Sequence, residues 1–163
     1  ASARPLDEAK IAEWTAKVAA DPNDVSTLRS LAAEYFRVGK YAESATWQAK
    51  IVDLRPTDVD NRLILGVAHY SDGRYDLAET QWLKAAELDP TSADPWYNLG
   101  FLYLSLEVPD DKRAEAAWQK VVDMAPGTDL ARTAAGHLDR LDTSVSAQTS
   151  PAPSPAPSPT PTK

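Results

Sequence analysis

An all-α solenoid of stacked helix pairs is the fold this sequence predicts, on three observations. Pro22, Pro56 and Pro90 stand 34 residues apart. A tryptophan recurs in each segment (Trp47, Trp82, Trp118), and Trp14 stands as far before Pro22 as Trp82 does before Pro90. Gly39 and Gly73 divide the first two segments near their midpoints, where a left-handed turn residue belongs between two helices. A fixed period of this length marks an array of two-helix units, each burying its apolar face against its neighbours.

Taken in chain order, residues 1–6 form an extension. Residues 7–20 read as a second helix without its first: either that helix lies upstream of Ala1, or the segment is an N-terminal cap. Three pairs follow, at 25–38 and 41–54, 59–72 and 75–88, and 93–106 and 110–124. Each helix is about 21 Å long at the usual rise. The third turn carries Pro109 and two extra residues, so Pro90 and Pro126 lie 36 apart. Asp110 and Asp111 there suit the start of a helix, where the dipole favours acids. Residues 128–141 place Leu130, Ala134, Leu138 and Leu141 on one face and polar groups elsewhere, the character of a closing helix. Eight helices are therefore predicted. From Thr143 the chain becomes rich in Ser, Thr, Ala and Pro, and residues 143–163 are expected to be a disordered tail with too little apolar surface to fold. A plain spacer is the simplest use of such a tail, and a glycosylated stalk is the alternative. Its prolines all sit at odd positions, so no P-x-x-P occurs.

Composition narrows the function. With no cysteine, thiolate metal sites and disulfides are excluded. The formal charge is −7, and the only charged side chain after residue 142 is Lys163, so the body carries −8. An acidic body argues against nucleic acid and anionic lipid as partners. No run approaches the length of a membrane span. The two histidines, His69 and His137, stand in no metal-binding pair, and the acidic pairs have no partner base. No catalytic residue, cofactor or metal is expected, and the chain does not read as an enzyme.

The third unit reads Trp96, Leu99, Gly100, Tyr103, Ala114, Trp118 and Pro126. The second reads Arg62, Leu65, Gly66, His69, Ala78, Trp82 and Pro90, and the first Leu28, Leu31, Ala32, Tyr35, Ser44, Gln48 and Pro56. On these residues the chain resembles the tetratricopeptide-repeat family over residues 7–142, with repeats at 25–58, 59–92 and 93–127 and a capping helix at 128–141. The resemblance implies a right-handed solenoid that binds protein segments in a concave groove. The stretch from Ile11 through Asp24, with the first repeat after it, resembles the repeat domains of bacterial cytochrome c maturation proteins. Those domains lie outside the cytoplasmic membrane and hold apocytochrome segments. Ala1-Ser-Ala would also suit the residues left by export processing. An extracytoplasmic assembly factor is thus expected, the alternatives being a cytoplasmic location or a structural subunit permanently docked to a membrane complex.

In a first helix, repeat positions 4, 7, 8 and 11 share the stripe that packs into the array, and positions 2, 5, 9, 12 and 13 lie opposite. In the family that second stripe lines the groove. Its expected residues are Arg29, Ala33, Phe36 and Arg37 in the first unit, Leu63, Val67 and Tyr70 in the second, and Tyr97, Phe101 and Leu104 in the third, with Asn98 beside them. One reading is an apolar groove, centred on Leu63, Val67 and Phe101, with a basic end at Arg29 and Arg37. The other is that some members, Tyr70 and Tyr97 above all, pack between neighbouring helices. The family's clamp for acidic chaperone C-termini would need cations or amides at Arg29, Ala33, Ile64, Asp94 and Asn98, and that set is missing. The expected partner is a protein or peptide segment, and the expected state alone is a monomer.

Overall fold

The computed structural model describes residues 5–148. Its eight helices among the described residues are α1 (Glu8–Ala20), α2 (Val25–Arg37), α3 (Tyr41–Leu54), α4 (Val59–Ser71), α5 (Tyr75–Leu88), α6 (Asp94–Leu104), α7 (Asp111–Met124) and α8 (Asp129–Gln148). Each packs on the next in sequence, and the result is an all-α solenoid.

Local chemistry sets the boundaries. Asp7, Asp24, Asp58 and Asp110 cap α1, α2, α4 and α7, each accepting a backbone N–H three residues on. Thr128 does the same for α8, through Ala131. Gly39 and Gly73 take φ of +79° and +75°, so the chain turns back after α2 and α4 at no steric cost. In both turns the residue after the glycine donates its N–H to the eleventh residue of the unit: Lys40 to Tyr35 and Arg74 to His69, each at 2.9 Å. The third unit keeps that bond without a glycine. Asp110 N–H reaches Tyr103 C=O at 2.9 Å, and the two extra residues bulge outward, leaving Val108 80% exposed. The insertion is absorbed at the surface, and the pairing of α6 with α7 is untouched.

Two helical ends differ from expectation by more than one residue. Helix α6 stops at Leu104 rather than 106. Helix α8 runs to Gln148, past the boundary that composition placed at Thr143. Ser and Thr weaken a helix only slightly, and no proline occurs between Pro126 and Pro151 to end it. The rest of the expected tail lies outside the described residues.

The core forms three clusters. The largest joins Ala78, Trp82, Leu99, Leu102, Tyr103, Trp118 and Val121 with Ala134 of α8. A smaller one holds Val18, Leu28, Leu31 and Ile51 with Trp14 at its edge, and a third joins Ala45, Val52, Leu65 and Ala68. Trp82 and Trp118 each lie against a glycine of the preceding helix. A Cβ on Gly66 or Gly100 would stand 2.2 Å from the indole nitrogen. Those indoles donate to Leu63 C=O and Tyr97 C=O, both at 3.1 Å. Glycine is required here by close approach, not by backbone angle.

Candidate functional site: an apolar pocket between the first two repeats

The equivalents of that tryptophan–glycine pair in the first unit are Gln48 and Ala32, and the substitution opens a space. Glutamine is smaller than tryptophan, and its amide turns away from α2 to donate to Asn61 C=O at 3.1 Å and to Asn61 Oδ1 at 3.3 Å. Ser44 donates to Ala32 C=O at 2.8 Å. With its polar groups thus satisfied, the floor of Ala32, Ser44 and Gln48 is buried and largely apolar toward the groove. Above it lies a pocket of about 420 Å³, walled by Ala33 and Phe36 of α2 and by Leu63, Ile64 and Val67 of α4, with Arg29 and Arg37 at its rim. Phe36, Ile64 and Val67 are 37%, 48% and 36% exposed. Three exposed apolar side chains around one concavity are the usual form of a site for an apolar group.

The two arginines differ. Arg37 donates to Glu34 through Nε at 2.9 Å and through Nη2, and also to Pro5 C=O at 3.1 Å. The guanidinium and the N–H of Asp7 hold the Glu34 carboxyl at about 2, so this pair stays ionised and mutually compensated. Arg29 is exposed and, among the described residues, donates to Asn61 Oδ1 alone, at 3.5 Å. Of the two cations at the rim, Arg29 is the one placed to meet an acidic group.

Of the groove residues expected from sequence, Arg29, Ala33, Phe36, Arg37, Leu63 and Val67 surround this one pocket. Tyr70, Tyr97, Asn98, Phe101 and Leu104 do not line it. Tyr70 packs on Tyr75 and Trp82, and its hydroxyl bonds Ser105 at 2.7 Å, bridging α4 to the end of α6. Tyr97 meets Phe101 edge-on at 5.2 Å, and Asn98 is half-buried beside it. Phe101 packs edge-on against Trp118 at 5.2 Å and against His137 of α8 at 4.8 Å. Leu104 also packs on the large core cluster. These third-unit residues are half-buried in contacts within the chain. His137 stacks on Trp118 with ring centroids 4.5 Å apart. Burial and the nearby Arg140 lower its pKa.

Sequence reasoning missed Ile64 as a wall of the site, having weighed it only as a clamp position. It lies one residue from Leu63 and three from Val67, so helical spacing alone could have grouped all three. Among the described residues no group of three or more His, Asp or Glu could hold a metal, and no helix is long and apolar enough to cross a membrane.

Comparison with known proteins agrees with this architecture. The family model described as "TPR repeat" matches residues 66–106. Among solved structures, the chain is similar to the Sgt2 TPR domain from Aspergillus fumigatus, at 17% identity and a TM-score of 0.67 over 86% of this chain and 91% of that one. It is similar to the Yersinia enterocolitica type III secretion chaperone SycD in complex with a peptide of the translocator YopD, at 17% identity and a TM-score of 0.65 over 77% and 95%. It also resembles the first TPR of Spaghetti (RPAP3) bound to the HSP90 peptide SRMEEVD, at 18% identity and a TM-score of 0.64 over 77% and 96%. A search of curated proteins gives no match. With the repeat model matched in the middle of the chain and similar helix pairs on either side, the fold is that of a tetratricopeptide-repeat solenoid.

Proposed function

We propose that the chain is a protein-interaction scaffold whose binding site is the pocket between its first two repeats, taking one bulky apolar side chain of a partner segment. The observation that carries this reading is the opening left where Gln48 stands in place of the tryptophan of the later repeats. Its exposed walls of Phe36, Ile64 and Val67 gain by burial at about 25 cal/mol per Å². Arg29 at the rim favours an acidic residue or a C-terminal carboxylate next to the apolar anchor. That two of the similar structures hold peptides supports a peptide as the ligand class. Binding rather than catalysis is the activity proposed. An extracytoplasmic role in cytochrome assembly is its more specific form, supported by the resemblance of residues 11–24 and testable by fractionating cells that carry the tagged protein.

The direct test is selection of peptides on the full chain from a displayed library, followed by titration of the selected peptide. Val67→Glu puts a charge on an exposed wall residue, so the fold should survive. It should weaken the selected apolar peptide at least about tenfold, a loss of roughly 1.4 kcal/mol. Unchanged affinity in the folded variant would place the partner elsewhere.

A further inference from the structure

The two ends of the solenoid are the two halves of one helix pair. Helix α8 has the register of a first helix: its cap Thr128 stands two residues after Pro126, as Asp24 does after Pro22 and Asp58 after Pro56. Counting from the prolines, Gly136 follows Pro126 at the same spacing as Gly66 follows Pro56 and Gly100 follows Pro90, so it holds the place of those two glycines. Those two glycines are explained by the indole each receives. Gly136 is not: a Cβ there would meet nothing within 4 Å, and its φ is an ordinary negative one. A glycine inside a helix costs about 1 kcal/mol relative to alanine, and no contact among the described residues offsets it. Helix α1 is the converse case. Trp14 holds the place of Trp82 and Trp118, and its inner side packs at the edge of the Leu28–Leu31 cluster. Among the described residues no first helix packs beside it, and its indole makes no hydrogen bond there.

The flanking residues are complementary as well. In the second unit Arg62 donates to Gln81 at 3.0 Å across the helix pair. The same two places are held by Arg132 on α8 and Glu13 on α1, turning a neutral contact into an ion pair. Asp139 holds the place of Tyr103, over which Arg113 lies at 4.1 Å, and Lys10 stands one residue on from the matching place in α1. Within one chain Arg132, Glu13 and Lys10 make only exposed ion pairs along their own helices, with Asp129, Lys17 and Asp7. Such pairs are worth little and exchange readily.

We propose that a second copy of this chain is the partner: α8 of one molecule receives α1 of the next, Trp14 seats on Gly136 with its indole directed at Thr133 C=O, and a composite repeat closes the junction. Each molecule keeps one free α1 and one free α8, so the contact is head-to-tail and propagates into chains rather than closing into a two-fold dimer. On α8, expected from sequence to be a closing helix, the half-buried Ala135 and Gly136 lie at the centre of this face.

The test is sedimentation velocity of the full chain over a concentration series. The wild type should grow in mass with concentration past the dimer. Gly136→Ala fills open space in the single molecule, so its Tm should hold or rise, while the added Cβ meets the incoming indole and raises the dissociation constant at least about tenfold. Glu13→Arg and Arg132→Glu should each stay monomeric alone and associate when mixed, because mixing pairs opposite charges at every junction. A wild type that is monomeric throughout, a Gly136→Ala variant that associates like the wild type, or failure of the mixture to associate would each overturn the proposal.

Discussion

At the scale of single residues, one repeat position decides how closely two helices meet. Gly66 and Gly100 bring a tryptophan onto the helix backbone, and an alanine at either would place a Cβ 2.2 Å from an indole nitrogen. Gly100→Ala is therefore expected to lower stability by about 1–3 kcal/mol, read from denaturant midpoints, although alanine is the better helix former. His69 carries a second prediction. It is buried, its Nδ1 has no partner among the described residues, and desolvation with Arg74 nearby lowers its pKa. The unfolded chain then binds protons at a higher pH than the folded one. The stability His69 contributes is complete above the ordinary histidine value of about 6.5 and falls as pH drops below it toward the depressed folded value. His137 acts with the same sign, whereas Glu34, at about 2, stays ionised through this window. Thermal melts between pH 7 and pH 5 should show Tm falling in the wild type and falling less in His69→Gln; equal slopes would remove His69 as a source.

Elements are delimited by caps and turns that act over three or four residues, which is why they were readable. The Asp–Pro–Asn and Pro–Thr–Asp stretches place α2 and α4, and the helices start one residue after Asp24 and Asp58 as expected. Asp58→Ala removes the acceptor for Asn61 N–H at 3.0 Å and should cost about 1 kcal/mol. Asp58→Asn should recover most of it, since an amide oxygen also caps. A loss equal in both variants would point to charge rather than capping. The misplaced end of α8 shows the limit of the same reasoning. Composition signalled a change at Thr143, but a helix ends where the backbone is interrupted, and residues 143–148 contain no interruption.

The whole molecule is a stack in which each helix packs mainly on its sequence neighbours, so stability should vary along it. The cluster around Trp82, Leu99 and Trp118 spans α5 to α8, whereas α1 rests on α2 through Val18 and the edge of Trp14. Native-state hydrogen exchange of dilute protein should find α6 and α7 the slowest to exchange and α1 the fastest of the helices α1 to α7. Protection of α1 equal to that of α7 would show a more cooperative molecule than this packing implies.

The sequence by itself determined the repeat, its register and most of the helix boundaries, because prolines, caps and glycine turns act through the local backbone and recur every 34 residues. It also divided each first helix into two stripes, and the family resemblance supplied the expectation that the second lines a groove. What only the tertiary structure decided is which part of that stripe is open. Ala33, Val67 and Phe101 occupy the same place in three successive units, yet Val67 walls a pocket while Phe101 lies against Trp118 and His137. The difference arises from residues distant in the chain. His137 arrives on α8, 36 positions after Phe101, and Gln48 in place of tryptophan empties the space beside α4. Helical periodicity assigns a side chain to a face, but whether that face stays exposed depends on the volume that other elements bring to it.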